Sequence, residues 1–465
     1  MATIKIDTFG GLMPRYDASL LPMNCAVTAN NLILKSGKIE PLRHPSERQF
    51  RVFLENGLDS LANAQTVYIW RRVVAGNVVN TILAWPGIVH VAPSNLADDD
   101  RDRIFVTGET GIPYAGAGQI QNSNQPAVYF SNRITGAVTR RTLVKSAPAK
   151  PSVSLADGLA PDPNNTRYTA FFQTWVDKYG YESPHSAASD QLAHTDGQTV
   201  VLAASAKPDP QAFKRRIYKT ITGNETEDNR FIAEFDDADA WGEKEITVAD
   251  GEAGEVMPEV ESPSVDLHGV LYVPGGFYVG YTDTLPKTVM FSDALYPYSW
   301  PTELHYDIHD HIVGLAANKN TVYVMTDNRV WILRGSYPDT MVASMLSPAA
   351  CVSERSIVQY GNNVFFASNF GYCMVTNSAT DGDVVANLTD KFFTKDQWLA
   401  LNPETCRACQ IDGRILAFFT VGGVTKGYIF DLNEKECLLT THDEVASAMC
   451  VQPETDAMLY VGGAA

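Results

Sequence analysis

Two cysteines form a C-x-x-C motif, a spacing at which thiolates can bind zinc or exchange a disulfide. They are Cys406 and Cys409. A structural zinc site needs a second pair of ligands, and the nearest candidates, Cys437 and His442, fall in a predicted turn. Seven cysteines in 465 residues do not suggest a disulfide framework and fit folding in a reducing cytoplasm. We interpret Cys406 and Cys409 as strand residues, at least one of them in a core.

The stretch HYDIHDH (305–311) combines three histidines with two of the carboxylates that metals favour. On a strand, His305, Asp307 and His309 would share one face and could coordinate a cation. No fourth ligand is apparent in the sequence. We therefore expect a solvated loop that enters the next repeat, and no metal or cofactor site is predicted.

Four clustered aspartates form the acidic run of LADDDRDR (96–103). They are Asp98, Asp99, Asp100 and Asp102. Contiguous carboxylates could bind calcium or serve acid–base chemistry, but the run lacks the spacing, glycine and terminal glutamate of an EF-hand. Catalytic carboxylates of glycosidases lie on different strands, so such a run is not diagnostic. We expect an acidic loop or an acidic surface that faces a channel lumen.

An aromatic cluster, LYPYSWP (295–301), is the candidate interface. It contains Tyr296, Tyr298 and Trp300 among prolines, and Tyr and Trp are favoured anchors in protein–protein contacts. The alternative is that the three rings cover a hydrophobic edge of the same chain. The sequence leaves both interpretations open.

Motifs of several enzyme classes are missing from the sequence. It has no G-x-S-x-G elbow, no P-loop, no helix-opening G-x-G-x-x-G and no H-E-x-x-H. The formal net charge of −18 excludes an overall basic footprint for gripping nucleic acid. No catalytic residue is predicted, and the expectation is a protein that is not an enzyme.

Short β-hairpins dominate the chain and predict an all-β fold. TVYIWRRVV and VVNTILAW flank a Gly-Asn turn in residues 1–146. Residues 147–261 change in composition and predict an inserted sandwich of immunoglobulin or fibronectin type III character. In residues 262–465 hairpin units recur, and such periodicity is typical of β-propeller blades. The predicted domains are N-terminal blades (1–146), the sandwich (147–261) and the remaining blades (262–465).

Several stretches together resemble one family, the tail nozzle or tail tubular protein B of short-tailed bacteriophages. The opening FGGLMPRYDASLLPMNCAVTANNLILKSGKIEPLR is similar to the family's start. RYTAFFQTWVDKYGYESPHS and RRIYKTITGNETEDNRFIAEF resemble its inserted sandwich. The blade-like stretches are GGFYVGYTDTLPKTVMFSDALYPYSWP, HIVGLAANKNTVYVMTDNRVWILRG and CVSERSIVQYGNNVFFASNFGYCMV.

The resemblance implies a structural virion protein, made in the host cytoplasm and carried in the phage tail. It implies a homo-hexamer below the portal and adaptor that anchors tail fibre or tail tip proteins. Double-stranded DNA would pass its lumen without sequence-specific binding, since like charges disfavour sticking. No apolar run is long enough to span a membrane. The alternatives are a carbohydrate-binding or glycan-cleaving propeller, and a regulatory scaffold propeller.

Overall fold

The fold is given by a computed structural model. It describes residues 9–35, 38–42, 52–54, 64–96, 99–109, 125–156, 160–221, 228–236, 239–249, 254–378, 382–432, 437–452 and 457–462. The chain divides into two compact units. Unit 1 comprises Met1–Thr142, Val265–Ala294 and His305–Ala465, and unit 2 comprises Leu143–Ser264 and Leu295–Leu304. The boundaries drawn from the sequence were 146/147 and 261/262, and they left 295–304 with the blades.

Strands account for nearly all the regular structure of the described residues. Before the insertion they are β1 (Leu32–Lys35), β2 (Lys38–Pro41), β3 (Val52–Leu54), β4 (Thr66–Val74), β5 (Asn77–Trp85), β6 (His90–Pro93), β7 (Ile104–Thr107), β8 (Ala127–Ser131) and β9 (Val138–Thr142). Those of unit 2 are β10 (Val153–Leu155), β11 (Arg167–Thr169), β12 (Phe171–Asp177), β13 (Leu192–His194), β14 (Gln198–Leu202), β15 (Ala212–Thr220), β16 (Asn229–Phe235) and β17 (Lys244–Val248).

The chain then returns to unit 1 with further strands and a single-turn helix. These are β18 (Leu267–Val273), β19 (Phe277–Thr282), β20 (Thr288–Phe291), β21 (His305–Asp307), β22 (Ile312–Asn318), β23 (Thr321–Thr326), β24 (Val330–Arg334), β25 (Val342–Ser347), β26 (Val358–Tyr360), β27 (Asn363–Ala367), β28 (Tyr372–Ser378), β29 (Gly382–Asn387), α1 (Lys395–Leu399), β30 (Arg407–Ile411), β31 (Arg414–Val421), β32 (Val424–Asp431), β33 (Leu438–His442), β34 (Ala446–Gln452) and β35 (Ala457–Gly462).

Unit 1 is a β-propeller. Its consecutive four-stranded sheets are β6–β9, β18–β21, β22–β25, β26–β29 and β30–β33. The sheets β3-β5-β4 and β34-β35 supply two further blades, and β1-β2 is a separate pair. The innermost strands contact one another in the order β6, β18, β22, β26, β30, β34 and β4. Side chains from β4, β5, β6 and β7 share one core and close the ring. The predicted all-β propeller with an inserted sandwich is confirmed.

Two-residue turns explain why neighbouring strands pair so closely. The β30–β31 hairpin turns at Asp412 and Gly413, with φ of 46° and 72°. Gly422 and Gly423, with φ of 58° and 82°, do the same between β31 and β32. Two successive positive φ values define the turn whose twist matches that of the flanking strands. Local sequence therefore fixes the register of this blade.

The N-terminal segment is tied to the outer strand β33 by backbone hydrogen bonds. The Leu12 amide donates to Leu439 O at 2.8 Å, and the Asn31 amide donates to Thr441 O at 2.8 Å. Gly11 has a φ of +74°, and a Cβ there would lie 2.6 Å from Leu439 O. Because glycine has no Cβ, it permits the N-terminal segment to approach β33 closely.

Unit 2 contains a sandwich of two antiparallel sheets, β10-β14-β17 and β12-β15-β16, with a further pair β11-β13. Side chains of both sheets form one core, in which Phe171 and Ile217 meet Val200 and Val248. All four are fully buried, and burying each such side chain stabilises the fold by about 1.5–3 kcal/mol. The strands β15, β16 and β17 lie within residues 147–261, the range predicted for the sandwich.

Candidate functional site

A cavity of about 300 Å3 lies within the ring of unit 1. Its wall takes residues from, or just before, every innermost strand, so that seven sheets contribute to one site. The lining residues are Gln65, Thr66, Ile88, Val89, His90, Gly269, Val270, Leu271, Leu315, Glu354, Arg355, Ile357, Arg407, Ala408 and Met449. The centre of a propeller brings together residues that are far apart in sequence.

Glu354 accepts two hydrogen bonds on one carboxylate oxygen. His90 Nε2 lies 2.9 Å from Glu354 Oε1, and the Tyr281 hydroxyl donates to the same oxygen at 2.6 Å. Burial alone would raise the pKa of Glu354, but hydrogen bonds and charge from His90, with the Tyr281 bond, hold it below its ordinary value. The carboxylate is therefore ionised at neutral pH.

His90 is oriented on both ring nitrogens. Its Nδ1 accepts the Gly269 amide at 3.3 Å, so Nε2 carries the proton that faces Glu354. His90 of β6 thus contacts both the β18 backbone and the Glu354 carboxylate.

Tyr281 depends on the glycine beside it. Gly269 has a φ of +67°, and a Cβ at this position would lie 2.2 Å from Tyr281 Cε1. Burial, the charge of Glu354 and the hydrogen bond to it raise the pKa of Tyr281 well above its usual value. The phenol therefore stays protonated and remains a donor to Glu354.

His268 packs against the same tyrosine, with ring centroids 4.2 Å apart. Its Nε2 lies 3.5 Å from Asp283 Oδ1. Burial lowers the pKa of His268 although Asp283 and Glu354 act in the opposite direction. The imidazole of His268 is therefore neutral at pH 7.

Two guanidinium groups supply positive charge to the wall. Arg355 Nη2 donates to Gln65 O at 2.9 Å and to Ser447 O at 2.5 Å. Arg407 Nε donates to Ala446 O at 2.6 Å. Burial lowers the pKa of both groups, and the charge of Arg407 lowers that of Arg355 further. Among the described residues neither guanidinium has a carboxylate within ion-pair distance.

The acidic run lies in the loop between β6 and β7. Asp98 falls outside the described residues. Asp99 is buried, and it pairs with Arg103 at 2.7 Å, whereas the Asp100 side chain is 78% exposed. Burial would raise the pKa of Asp99, but the hydrogen bond and charge of Arg103 keep it below its usual value.

Asp102 organises the same loop from a left-handed backbone conformation, with a φ of +45°. Its carboxylate accepts the Val73 amide at 2.8 Å and pairs with Arg133 at 2.9 Å. Asp99 and Asp102 are thus neutralised by arginines of their own sheets, and the described members of the run do not line the central cavity. Whether Asp100 faces a lumen between subunits stays a prediction.

The aromatic cluster belongs to unit 2. Tyr298 and Trp300 are 6% and 4% exposed, and Tyr296 is half-buried. Tyr298 stacks on Tyr181 with ring centroids 4.6 Å apart. Tyr298 and Trp300 are therefore not exposed anchors, because they already pack within this chain. An interface role for Tyr296 stays a prediction.

Both cysteines of the C-x-x-C motif are buried, Cys406 at the end of a turn and Cys409 in β30. Burial raises the pKa of both thiols, that of Cys409 to about 12. Within the described ranges, no group of three or more His, Cys, Asp or Glu residues could hold a metal ion. No described helix has the length and apolar character needed to cross a bilayer.

No chemical motif in the sequence marks the residues of the central cavity. One signal was present: Arg355 and Arg407 lie at the start of consecutive repeats, in SERSIVQY and CRACQI. A charged residue at or just before the first strand of a blade is unusual, because the propeller partly buries these positions. His90 and Glu354 carried no comparable signal, because their partners lie in other blades.

No family model matches the chain, and no curated protein matches it significantly. Solved structures that align with this chain include virginiamycin B lyase from Staphylococcus aureus, at 9% identity and a TM-score of 0.29. The alignment covers 79% of this chain and 93% of the lyase. A streptogramin B lyase structure matches at 9% identity and a TM-score of 0.30, covering 81% and 96%. The propeller assignment for unit 1 rests on its own sheets and their contacts.

Proposed function

We propose that this chain is a structural, non-enzymatic subunit of a short-tailed bacteriophage tail nozzle. Six copies would form a ring below the portal and adaptor, through which double-stranded DNA leaves the capsid. The observation that carries the proposal is a propeller interrupted after Thr142 by a sandwich and resumed at Val265. The stretches that resemble the family follow this same order along the chain.

The N-terminal segment offers a surface for a neighbouring copy. Its backbone is held against β33, yet four large apolar side chains face solvent. They are Tyr16, Leu20, Met23 and Val27, at 46%, 69%, 81% and 67% exposure. Clustered apolar exposure marks contact sites in soluble proteins. We assign this segment to the contact between ring neighbours, because its anchored backbone presents the side chains at little ordering cost.

Charge supports a passive role toward the genome. The net charge of −18 disfavours tight binding of phosphates, so DNA would slide past without sequence readout. The adaptor and the tail fibre or tail tip proteins are the remaining proposed partners. The chain would act in the virion tail after synthesis in the host cytoplasm.

The test combines imaging with one double variant. We expect negative-stain images of the assembled tail to show a six-fold ring of this chain around a bore as wide as a DNA duplex. Leu20→Asp with Met23→Asp should abolish ring formation, because charges would be buried at the contact. Ile134→Asp is the matched control, since Ile134 is 83% exposed between β8 and β9 of another blade.

A particle without a ring of this chain would refute the proposal. So would normal ring assembly of the Leu20→Asp, Met23→Asp variant. Circular dichroism of the isolated variant separates a lost contact from a lost fold. A monomer in solution is compatible with assembly on a preformed tail, so the images are taken on the tail.

The central cavity favours one alternative, a carbohydrate-binding propeller. Glu354 and the neighbouring donors could bind sugar hydroxyls. Cleavage is a weaker candidate, because a glycosidase places two carboxylates about 5–9.5 Å apart, and Glu354 is the one carboxylate among the described lining residues. This alternative would be favoured if the chain binds to a glycan array, loses that binding in Glu354→Ala, and is absent from virions.

A further inference from the structure

We propose that the central cavity of unit 1 is a binding site for a small oxyanion, a carboxylate or a phosphate, held by Arg355 and Arg407. The site does not depend on the function proposed above. Nothing in the sequence resemblance implies a ligand at this place.

The two guanidinium groups donate only to neutral oxygen atoms within the described residues. All hydrogen bonds of Arg355 within the described residues leave from Nη2, toward Gln65 O and Ser447 O. Arg407 is fixed by the short bond from Nε to Ala446 O, and its Nη atoms reach Thr420 and Thr425 only at 3.4 and 3.5 Å. Neutral carbonyls thus orient both groups without neutralising them.

The charges in the wall do not balance. Both arginines line the same cavity, and each is half-buried. Two partly desolvated cations in the wall of one cavity repel each other, and an anion between them would relieve the repulsion. The arginine fork also matches the two oxygens of a carboxylate or phosphate.

Glu354 does not fill this role. Its Oε1 already accepts from His90 at 2.9 Å and from Tyr281 at 2.6 Å. It contributes one negative charge against the two positive charges of the arginines. The cavity therefore keeps a net positive charge inside a protein of net charge −18. A volume of about 300 Å3 suits a small organic acid or an inorganic anion.

Titration calorimetry of the full chain with inorganic phosphate and with malonate tests the proposal. We expect one site per chain for at least one of the two probes, and the preferred probe identifies the ligand class. Arg355→Gln and Arg407→Gln should each weaken binding about tenfold or more, because each removes charge-assisted hydrogen bonds.

Two further variants sharpen the result. Glu354→Gln keeps an oxygen for His90 and Tyr281 and removes the opposing charge, so binding should tighten several-fold. Arg329→Gln changes the net charge by the same amount at an ion pair with Asp310 on another sheet, so it should leave binding unchanged. The outward-facing control separates a local site from general charge effects.

Absence of binding to the unaltered chain by either probe would overturn the proposal. Equal affinities in Arg407→Gln and the unaltered chain would overturn it as well. If Arg355→Gln fails to fold, Arg407→Gln and Glu354→Gln still decide. Normal ring assembly of Arg407→Gln would show that this site and the nozzle function are separate properties.

Discussion

The buried ion pair of Glu109 and Arg140 gives the sharpest test of how unit 1 is held together. Both residues are 3% exposed. Glu109 Oε2 accepts from Arg140 Nε at 2.9 Å and from Nη2 at 2.7 Å. Its Oε1 accepts from Trp85 Nε1 at 3.0 Å and from the Tyr129 hydroxyl at 2.5 Å. Four donors from three strands thus converge on one carboxylate.

The change Glu109→Gln keeps the shape and removes the charge. The amide oxygen can still accept from Trp85 and Tyr129. The amide nitrogen, however, would face the Arg140 donors, so both charge-assisted bonds are lost and a buried guanidinium loses its counter-charge. Breaking such a pair from one side costs about 3–5 kcal/mol. We expect the free energy of unfolding of unit 1 to fall by about this amount.

Amide hydrogen exchange measures the loss unit by unit, which a global melting curve of a two-unit chain does not. The amides of β7 and β8 should exchange faster in Glu109→Gln, by about two to four powers of ten. The amides of β14 and β15 in unit 2 serve as the internal reference. Glu109→Gln with Arg140→Met should regain most of the loss, because the amide oxygen still accepts from Trp85 and Tyr129 and no uncompensated buried charge remains.

A loss below about 1 kcal/mol for Glu109→Gln would refute the reasoning, since surface ion pairs contribute no more than that. Equal destabilisation by the single and double changes would also contradict it. In that case shape, and not the uncompensated charge, would set the cost.

Two further outcomes follow from the loop and the cavity. The Arg103 pair lowers the folded-state pKa of Asp99, so its stabilisation is present above the unfolded pKa of about 4 and is lost as pH falls through the folded pKa. Asp99→Asn should therefore destabilise unit 1 more at pH 7 than at pH 2, and an equal loss at both pH values in urea titrations would contradict this. Gly269→Ala places a Cβ 2.2 Å from Tyr281 Cε1 at a φ of +67°. We expect the free energy of unfolding of unit 1 to fall by about 2 kcal/mol or more. Gly76→Ala is the control, because nothing lies within 4 Å of a Cβ there and only its own backbone strain should lower the stability.

Local patterns were sufficient for the elements and the fold class. Alternating β-rich runs around turns such as Gly76-Asn77 predicted the hairpins, and the change in composition near 147 predicted the inserted sandwich. These features depend on neighbours within about ten residues, where strand period and turn geometry act directly. Repetition of such units then predicted the propeller, because a single blade cannot bury both of its faces.

The tertiary structure alone decided which residues meet. His90 and Glu354 lie 2.9 Å apart across 264 positions of the chain, and no periodicity encodes such a contact. The same holds for Tyr298. The sequence fits an interface residue and a ring that covers an edge of its own chain equally well, and only the structure shows it stacked on Tyr181. Turn chemistry and strand period are short-range, whereas burial and charge pairing depend on how distant segments pack. The sequence therefore specified the blades and the sandwich, and only the closing of the ring created a cationic cavity.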